Sequence, residues 1–289
     1  MAVRQFWLEN ANGDKYSLHT QKVFMNVPQG LGFTVDIEPV RVGNSNFIIS
    51  EEYNLGTISG EILFMDKRAK AYQDYFDFVH FLYQKPITLH YLPPNDKISY
   101  YCQVRVVNVD KSEMGEDGIL RVPIEMYRQT MWFNDDINII EATNNASEGK
   151  HYPLSRPYHY GIISIRNIGL YNDGVSDSPL YIEIYGECEN PSYDLYDGKG
   201  IKYGSTKLMG TYDYVAVDSS DLTESITLMR NGSSIPNAVN YQDLTVGEPR
   251  SVYVTFLKLK PGESRLVFNL GDEFPGYVRV RWNNAYVTV

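Results

Sequence analysis

Residues 56–83 constrain the fold more than any other stretch, because a strand pattern runs directly into the one convincing helix pattern of the sequence. Ile58, Ile62 and Phe64 recur with the period of two that is typical of a half-buried strand. Asp66 follows at a position where its carboxylate can cap the first turn of a helix. Pro86 ends that helix, which carries a wide aromatic stripe. The stripe consists of Tyr72, Tyr75, Phe76, Val79 and Leu82.

A single amphipathic helix among strands predicts a mainly β protein in which the helix packs on a sheet or on a neighbouring subunit. The Asn12–Gly13 pair favours a hairpin turn near the N-terminus. Later in the first half, Leu120, Val122 and Ile124 alternate with polar residues, which is the pattern of a strand with one face in water.

The 289 residues are enough for two domains, each with its own core. Between residues 134 and 156 the sequence becomes polar and aperiodic, as expected of an interdomain connection. We therefore predict an N-terminal domain over 1–134, a connection over 135–155 and a C-terminal domain over 156–289. Short strand patterns separated by turn residues predict a β-sandwich of jelly-roll or galectin-like outline for the last part.

The net charge of −10, from 26 basic and 36 acidic residues, argues against a nucleic-acid-binding surface as the main activity, because phosphate binding needs a basic surface. The 24 tyrosines and 12 phenylalanines favour half-buried strands and interfaces. The N-terminal residues lack the apolar run of a signal peptide, and no stretch is apolar for long enough to cross a bilayer. We expect synthesis in a cytoplasm and no membrane insertion.

No pattern in the sequence predicts an enzyme, a cofactor or a metal site. The five histidines are scattered, and no two have the spacing of a zinc-binding helix. The best acidic cluster could suggest the paired carboxylates of a glycosidase, but its residues fit turns better. That cluster contains Asp194, Asp197, Asp213, Asp218 and Asp221. Cys102 and Cys188 lie far apart in strand-like contexts and are predicted to be buried free thiols.

The order of several motifs resembles the distal tail proteins of long-tailed siphophages, often called Dit. The N-terminal half contributes residues 6–10, the Gly30-Leu31-Gly32-Phe33 element, residues 56–64, the aromatic helix, residues 89–91 and Trp132. In the second half, Gly186 through Asn190 and Pro191 look like the Gly-x-x-x-Asn-Pro segment that opens the family's C-terminal domain.

This resemblance implies an N-terminal β-structure that closes into a homo-hexameric ring and an outward galectin-like C-terminal domain. It also implies a structural virion component at the distal end of a phage tail, made in the host bacterial cytoplasm and lacking catalysis or cofactor. The implied partners are the tail tube protein, the baseplate hub or tail-associated protein and, as a further candidate, a receptor-binding protein. DNA would pass through the lumen without sequence-specific binding, in agreement with the acidic net charge.

A ring buries a heterologous interface on two sides of every subunit, which the aromatic helix and the glycine loop are suited to form. The predicted interface residues are Gly30, Leu31, Gly32, Tyr72, Tyr75 and Phe76. We also expect a positive φ at one or both of these glycines.

The residues leave two other classes of function open. A carbohydrate-binding adhesion module would use Tyr193, Tyr196 and Tyr203 as an exposed platform for sugar rings. A hydrolase would need two carboxylates that converge in a cleft.

Overall fold

The computed structural model describes residues 4–94, 96–143, 163–164, 167–234, 255–271 and 274–289. The chain divides into two compact units, of which the first comprises Met1–Asp135 with Tyr286–Val289 and the second comprises Asp136–Ala285. The described residues are mainly β-strands with one α-helix, so the predicted fold class is confirmed.

The described residues of the first unit form ten strands and the helix. They are β1 (Gln5–Glu9), β2 (Lys15–Ser17), β3 (Val23–Gln29), β4 (Thr34–Val42), β5 (Ser45–Asn54), β6 (Thr57–Phe64), α1 (Arg68–Leu82), β7 (Ile87–Leu92), β8 (Tyr100–Val109), β9 (Leu120–Arg128) and β10 (Trp132–Asn134).

The main sheet of the first unit is antiparallel along the order β2-β1-β7-β8-β9-β6-β3. Leu18 links the two ends of this order. Its N–H donates to the Phe6 carbonyl and its carbonyl accepts the Met25 N–H, both at 2.8 Å. These bonds occupy backbone groups that would otherwise be open at the sheet edges. Ile58, Ile62 and the alternate apolar residues of β9 are buried, as their period of two predicted.

The helix begins differently from the prediction. Lys67 is its N-cap residue, and no side chain caps the first turn. The Asp66 carboxylate instead accepts the Lys67 N–H at 2.8 Å and pairs with Lys22 and Lys70 at 3.2 and 3.5 Å. The predicted Asp66 cap is therefore wrong, because the neighbouring N–H and the two lysines engage the carboxylate first.

The second unit is formed by a further set of strands among its described residues. They are β11 (Asn138–Thr143), β12 (Ile163–Ser164), β13 (Ile168–Asn172), β14 (Ser178–Pro179), β15 (Tyr181–Glu189), β16 (Ser192–Asp197), β17 (Lys202–Lys207), β18 (Thr211–Asp218), β19 (Ser225–Arg230), β20 (Ser233–Ser234), β21 (Lys258–Leu259), β22 (Gly262–Asn269), β23 (Tyr277–Trp282) and, across the unit boundary, β24 (Ala285–Tyr286).

Two sheets enclose the core of the second unit. One has seven strands in the order β12-β11-β23-β15-β18-β19-β20, and the other has four in the order β13-β22-β16-β17. Ile182, Ile184 and Val280 of the first sheet pack in one cluster with Leu195 and Leu266 of the second. The result is a β-sandwich, and its jelly-roll or galectin-like outline stays a prediction.

The chain enters and leaves the second unit differently from the predicted boundaries. Residues 138–143, assigned above to a connection, form β11, which pairs along its length with β23 and buries Ala142 in the core. Polar residues flank this short strand, so composition alone hid it. The remainder of the predicted connection, 144–155, lies outside the described residues.

The last four residues return to the first unit. Val287 is buried, and its carbonyl accepts a hydrogen bond from Arg128 Nη1 at 3.1 Å. Burial lowers the pKa of the Arg128 guanidinium, whose side chain is fully enclosed. Tyr286 packs edge-on against Tyr100 with ring centroids 5.5 Å apart. The C-terminus is thus part of the first unit's core.

Cys102 and Cys188 are free and buried, as predicted. In the described chain, no helix has the length and apolar character needed to span a membrane.

Candidate assembly interface

Several large apolar side chains of the first unit are exposed on a two-stranded ribbon, which we define as β4 and β5. These strands pair only with each other among the described strands. Gly43 and Asn44 form the two-residue turn between Val42 and Ser45, and Gly43 has the positive φ of 64° that hairpin turns of this length require. A register shift between Glu38 and Pro39 adds a bulge halfway along the ribbon.

Every residue of β5 is exposed, and so are all but one of β4. The exposed fraction reaches 58% for Phe47 and Ile48 and 63% for Ile49. An isolated hairpin is only marginally stable in water, so a ribbon of this length with large apolar side chains on it is expected to lie against another surface. Its other exposed large apolar side chains are Ile37, Val40, Val42 and Tyr53.

Charge on the ribbon is predominantly negative near its base. Asp36 lies directly opposite Glu52, and Glu38 follows on the same face. Like charges directly across a strand pair destabilise it. One basic residue, Arg41, lies near the tip, and its Nε donates to the Gly43 carbonyl at 3.1 Å. A surface that covers the base of the ribbon should therefore supply positive charge.

The glycine loop lies beside the base of the ribbon and is fixed by contacts within its own chain. Gly30 has a φ of +81°, which confirms the expected positive φ, whereas Gly32 has an ordinary φ. A Cβ on Gly30 would lie 2.0 Å from the Thr57 carbonyl oxygen. Leu31 packs partly against the core of the first unit, and its carbonyl accepts a hydrogen bond from Thr288 Oγ1 at 3.2 Å.

The predicted helix residues do not share one exposed face. Tyr75 is buried and contacts the Phe64 ring edge-on, so it belongs to the core. Tyr72 is half-buried, and its hydroxyl donates to Glu113 Oε2 at 3.0 Å. Only Phe76 of the three is exposed, at 49%. The predicted stripe omitted Ala71 and Phe78, which are both fully buried.

The three tyrosines suggested as a sugar platform are not brought together on one exposed surface. Tyr193 is 2% exposed within the core of the sandwich. Tyr196 pairs with Lys202, so it lies on the opposite face of the four-stranded sheet from Tyr203. The Tyr203 ring packs against the core, and its hydroxyl lies 3.0 Å from Ser264 Oγ. Strand alternation and the bulge between Leu195 and Tyr196 separate these rings.

The aspartates of the predicted acidic cluster have separate local roles. Asp197 accepts the N–H groups of its own turn, and Asp218 accepts from Ser220, as turn residues do. Asp194 pairs with Lys202 at 2.6 Å, and Asp221 pairs with Lys258. In the described part of the chain, no group of three or more metal-ligating side chains could hold a metal ion. His151 and His159 lie outside the described residues.

The exposed ribbon is a feature that the sequence analysis did not predict. Its signal is present, because Gly43-Asn44 is a two-residue turn preceded by Val40 and Val42, which alternate with Arg41. The continuous apolar run Phe47-Ile48-Ile49 reads equally well as a buried strand, so exposure could not be inferred from it.

Comparison with known proteins agrees with this architecture. Residues 5–129 match the family model of the distal tail protein N-terminal domain. The first unit is therefore similar to the N-terminal domain of distal tail proteins. This similarity supports a structural role in a phage tail. No curated protein matches the chain with significant similarity.

Solved structures extend the likeness over both units. Two chains come from structures of the phage p2 baseplate in its activated conformation, one with strontium and one with calcium. Both have a TM-score of 0.61, identities of 17% and 16%, and coverage of 99% of this chain and 100% of theirs. The Dit protein of phage SPP1 has a TM-score of 0.59 at 12% identity, with 96% of this chain and 98% of that chain covered. At such identities the likeness shows a shared fold.

Proposed function

We propose that this chain forms a homo-hexameric ring at the distal end of a phage tail, where it joins the tail tube to the baseplate hub. The observation that carries the proposal is the exposed ribbon within the domain that matches the distal tail family. The baseplate and hub structures of similar fold support the location.

The ribbon gives a physical reason for assembly. Burying one large apolar side chain contributes about 1.5–3 kcal/mol, so the ribbon's seven exposed large apolar side chains represent on the order of 10 kcal/mol per subunit before entropy is counted. A ribbon on one subunit that docks on a different surface of the next makes a heterologous contact, and such contacts form a ring when the rotation from one subunit to the next closes after a whole turn.

Replacing Ile37, Phe47 and Ile48 together by threonine tests the proposal. These side chains are more than half exposed in the single chain, so the monomer should keep its melting temperature. We expect the unmodified protein to form hexamers by native mass spectrometry and the triple variant to be monomeric. A matched control is Ile201→Thr in the second unit, which is 62% exposed and lies outside the ribbon, and it should still form hexamers. Hexamers of the triple variant would contradict the proposal. It would also be contradicted if the unmodified protein were only monomeric, both as the free protein and within tails.

A further inference from the structure

The two strands of the ribbon leave the rest of the first unit through a pair of glycines. β3 continues into β4 by way of Gly30, whose φ is +81°, and β5 continues into β6 by way of Gly56, whose φ is +68°. The two connections lie against each other, because a Cβ on Gly30 would be 2.0 Å from the Thr57 carbonyl oxygen. We call residues 30–33 and 55–56 together the root of the ribbon. Its conformation sets the direction in which the ribbon projects.

Residues 286–289, which we call the strap, contact one side of this root directly. Thr288 Oγ1 donates a hydrogen bond to the Leu31 carbonyl at 3.2 Å. Leu31 and Val289 both pack against the apolar core of the first unit, in which Val287 is buried. The strap is thus anchored by apolar side chains and reaches the root with a hydroxyl group.

Arg128 connects the strap with the other side of the root. Its backbone N–H donates to the Gly56 carbonyl at 3.1 Å, and its Nη1 donates to the Val287 carbonyl, also at 3.1 Å. The side chain is fully buried, and within the described part of the chain its Nε and Nη2 have no hydrogen-bond partner. A buried charge with a single acceptor is strongly destabilised when that acceptor is lost. Displacing the strap is therefore most costly at the residue that also binds the root.

The strap and the root are far apart in the sequence. Leu31 and Thr288 are separated by 257 positions, and the whole second unit, Asp136–Ala285, lies between them. Because domains fold in order during synthesis, a chain that has been made only as far as the second unit has the ribbon but lacks the strap. Such a chain already exposes the apolar side chains of the ribbon while its root is held on one side less.

We propose that the strap fixes the direction of the ribbon, so that the chain associates through the ribbon only after it has passed through the second unit and returned to the first. A ribbon that is loose at its root loses conformational entropy when it docks, whereas a ribbon fixed in advance loses little. The strap thereby favours association of chains that carry it over partly synthesised or cleaved ones. The assembly step of this inference rests on the ribbon contact proposed above, whereas the hold on the root rests on contacts within one chain.

Hydrogen exchange in monomeric subunits of the full chain tests the hold on the root. The double variant Arg128→Met with Thr288→Val removes both side-chain hydrogen bonds of the strap and puts apolar side chains of similar size in their place. We expect exchange in peptides of residues 30–36 and 52–57 to become about fivefold faster, which is the effect of losing hydrogen bonds of ordinary strength. Thr20→Val is a matched control that should leave both peptides unchanged. This exposed threonine also donates to a backbone carbonyl at 3.2 Å, but in the turn before β3.

The single variant Thr288→Val separates the hold on the root from a change of the fold. Its side chain is exposed, so the melting temperature should stay the same. Exchange should become faster for residues 30–36 and not for residues 52–57, because only the bond to Leu31 is lost. Unchanged exchange of residues 30–36 in both variants, or equally faster exchange throughout the first unit, would overturn the inference.

Native mass spectrometry measures the effect of the strap on assembly. We expect the double variant to need at least about tenfold more protein than the unmodified chain for the same assembled fraction, since its ribbon must be ordered on docking. Assembly at the same concentration as the unmodified chain, despite faster exchange at the root, would overturn the link between strap and association. Monomers alone from the unmodified chain would contradict the ribbon contact instead, and the exchange measurement would then decide by itself whether the strap holds the root.

Discussion

Replacing Gly30 by alanine should destabilise the first unit far more than the same change at Gly32. At Gly30 two costs combine: a φ of +81°, which side chains rarely adopt, and a Cβ that would lie 2.0 Å from the Thr57 carbonyl oxygen. The φ alone costs about 1–2 kcal/mol. The clash is with backbone, so β6 must shift, and overpacking of this kind adds about 1–3 kcal/mol. We expect a total of about 2–5 kcal/mol.

Two other glycines separate these costs. Gly13 has a φ of +79° with nothing within 4 Å of its added Cβ, so Gly13→Ala should show the conformational cost alone, about 1–2 kcal/mol. Gly32 has neither the positive φ nor a neighbour within 4 Å, so Gly32→Ala should change the free energy of unfolding by less than about 0.5 kcal/mol.

Urea unfolding followed by the fluorescence of Trp7 and Trp132, both in the first unit, measures the three variants. The dependence of the unfolding free energy on urea concentration should be the same for all three variants. The urea concentration at the midpoint should be highest for Gly32→Ala, lower for Gly13→Ala and lowest for Gly30→Ala. Equal midpoints for the Gly30 and Gly32 variants would refute the reasoning. A loss confined to ring assembly, with unfolding unchanged, would place the Gly30 contact between subunits and not against Thr57.

Three further outcomes are expected. Deleting residues 286–289 should lower the free energy of unfolding of the first unit by about 2–4 kcal/mol, because Arg128 loses its carbonyl acceptor and packed side chains are removed from the core. A urea titration measures this change. An unchanged unfolding midpoint would contradict the prediction. A fragment of residues 136–285 should melt cooperatively, whereas a fragment of residues 156–289 should not, because only the first fragment contains β11. Calorimetry measures the melting transition of each fragment. Equal transitions would show that the second unit folds without β11. Burial raises the pKa of Cys188 to about 11, so its thiol should not react with Ellman's reagent at pH 8 in the native protein. The thiol should react once urea unfolds the protein. Rapid reaction of Cys188 in the native protein would contradict its burial.

Much of the fold follows from patterns that the sequence shows. The period-two burial of β6 and β9 could be predicted because one face of each strand meets the core and the other meets water or a neighbour. The free cysteines and the turn aspartates could also be predicted from residue chemistry. The return of residues 286–289 to the first unit could not be predicted from the sequence. A segment of four residues is too short to show a periodicity that would indicate which part of the chain it packs against.

The interface was harder to predict than the fold, and α1 shows why. Tyr75 and Phe76 are adjacent aromatic residues of similar size, yet one is buried and the other is 49% exposed. A hydrophobic stripe indicates which side of a helix is apolar, but the stripe is wider than the surface that one sheet covers. Packing in the folded protein therefore decides whether a residue at the margin of the stripe is buried or exposed. The ribbon presents the same difficulty in β form. Phe47, Ile48 and Ile49 match a buried strand by composition, and only the absence of a described sheet beside β4 and β5 leaves them exposed. An apolar sequence pattern thus predicts that a surface will be buried. The fold determines whether that surface is buried within the same chain or remains exposed for contact with a neighbouring subunit.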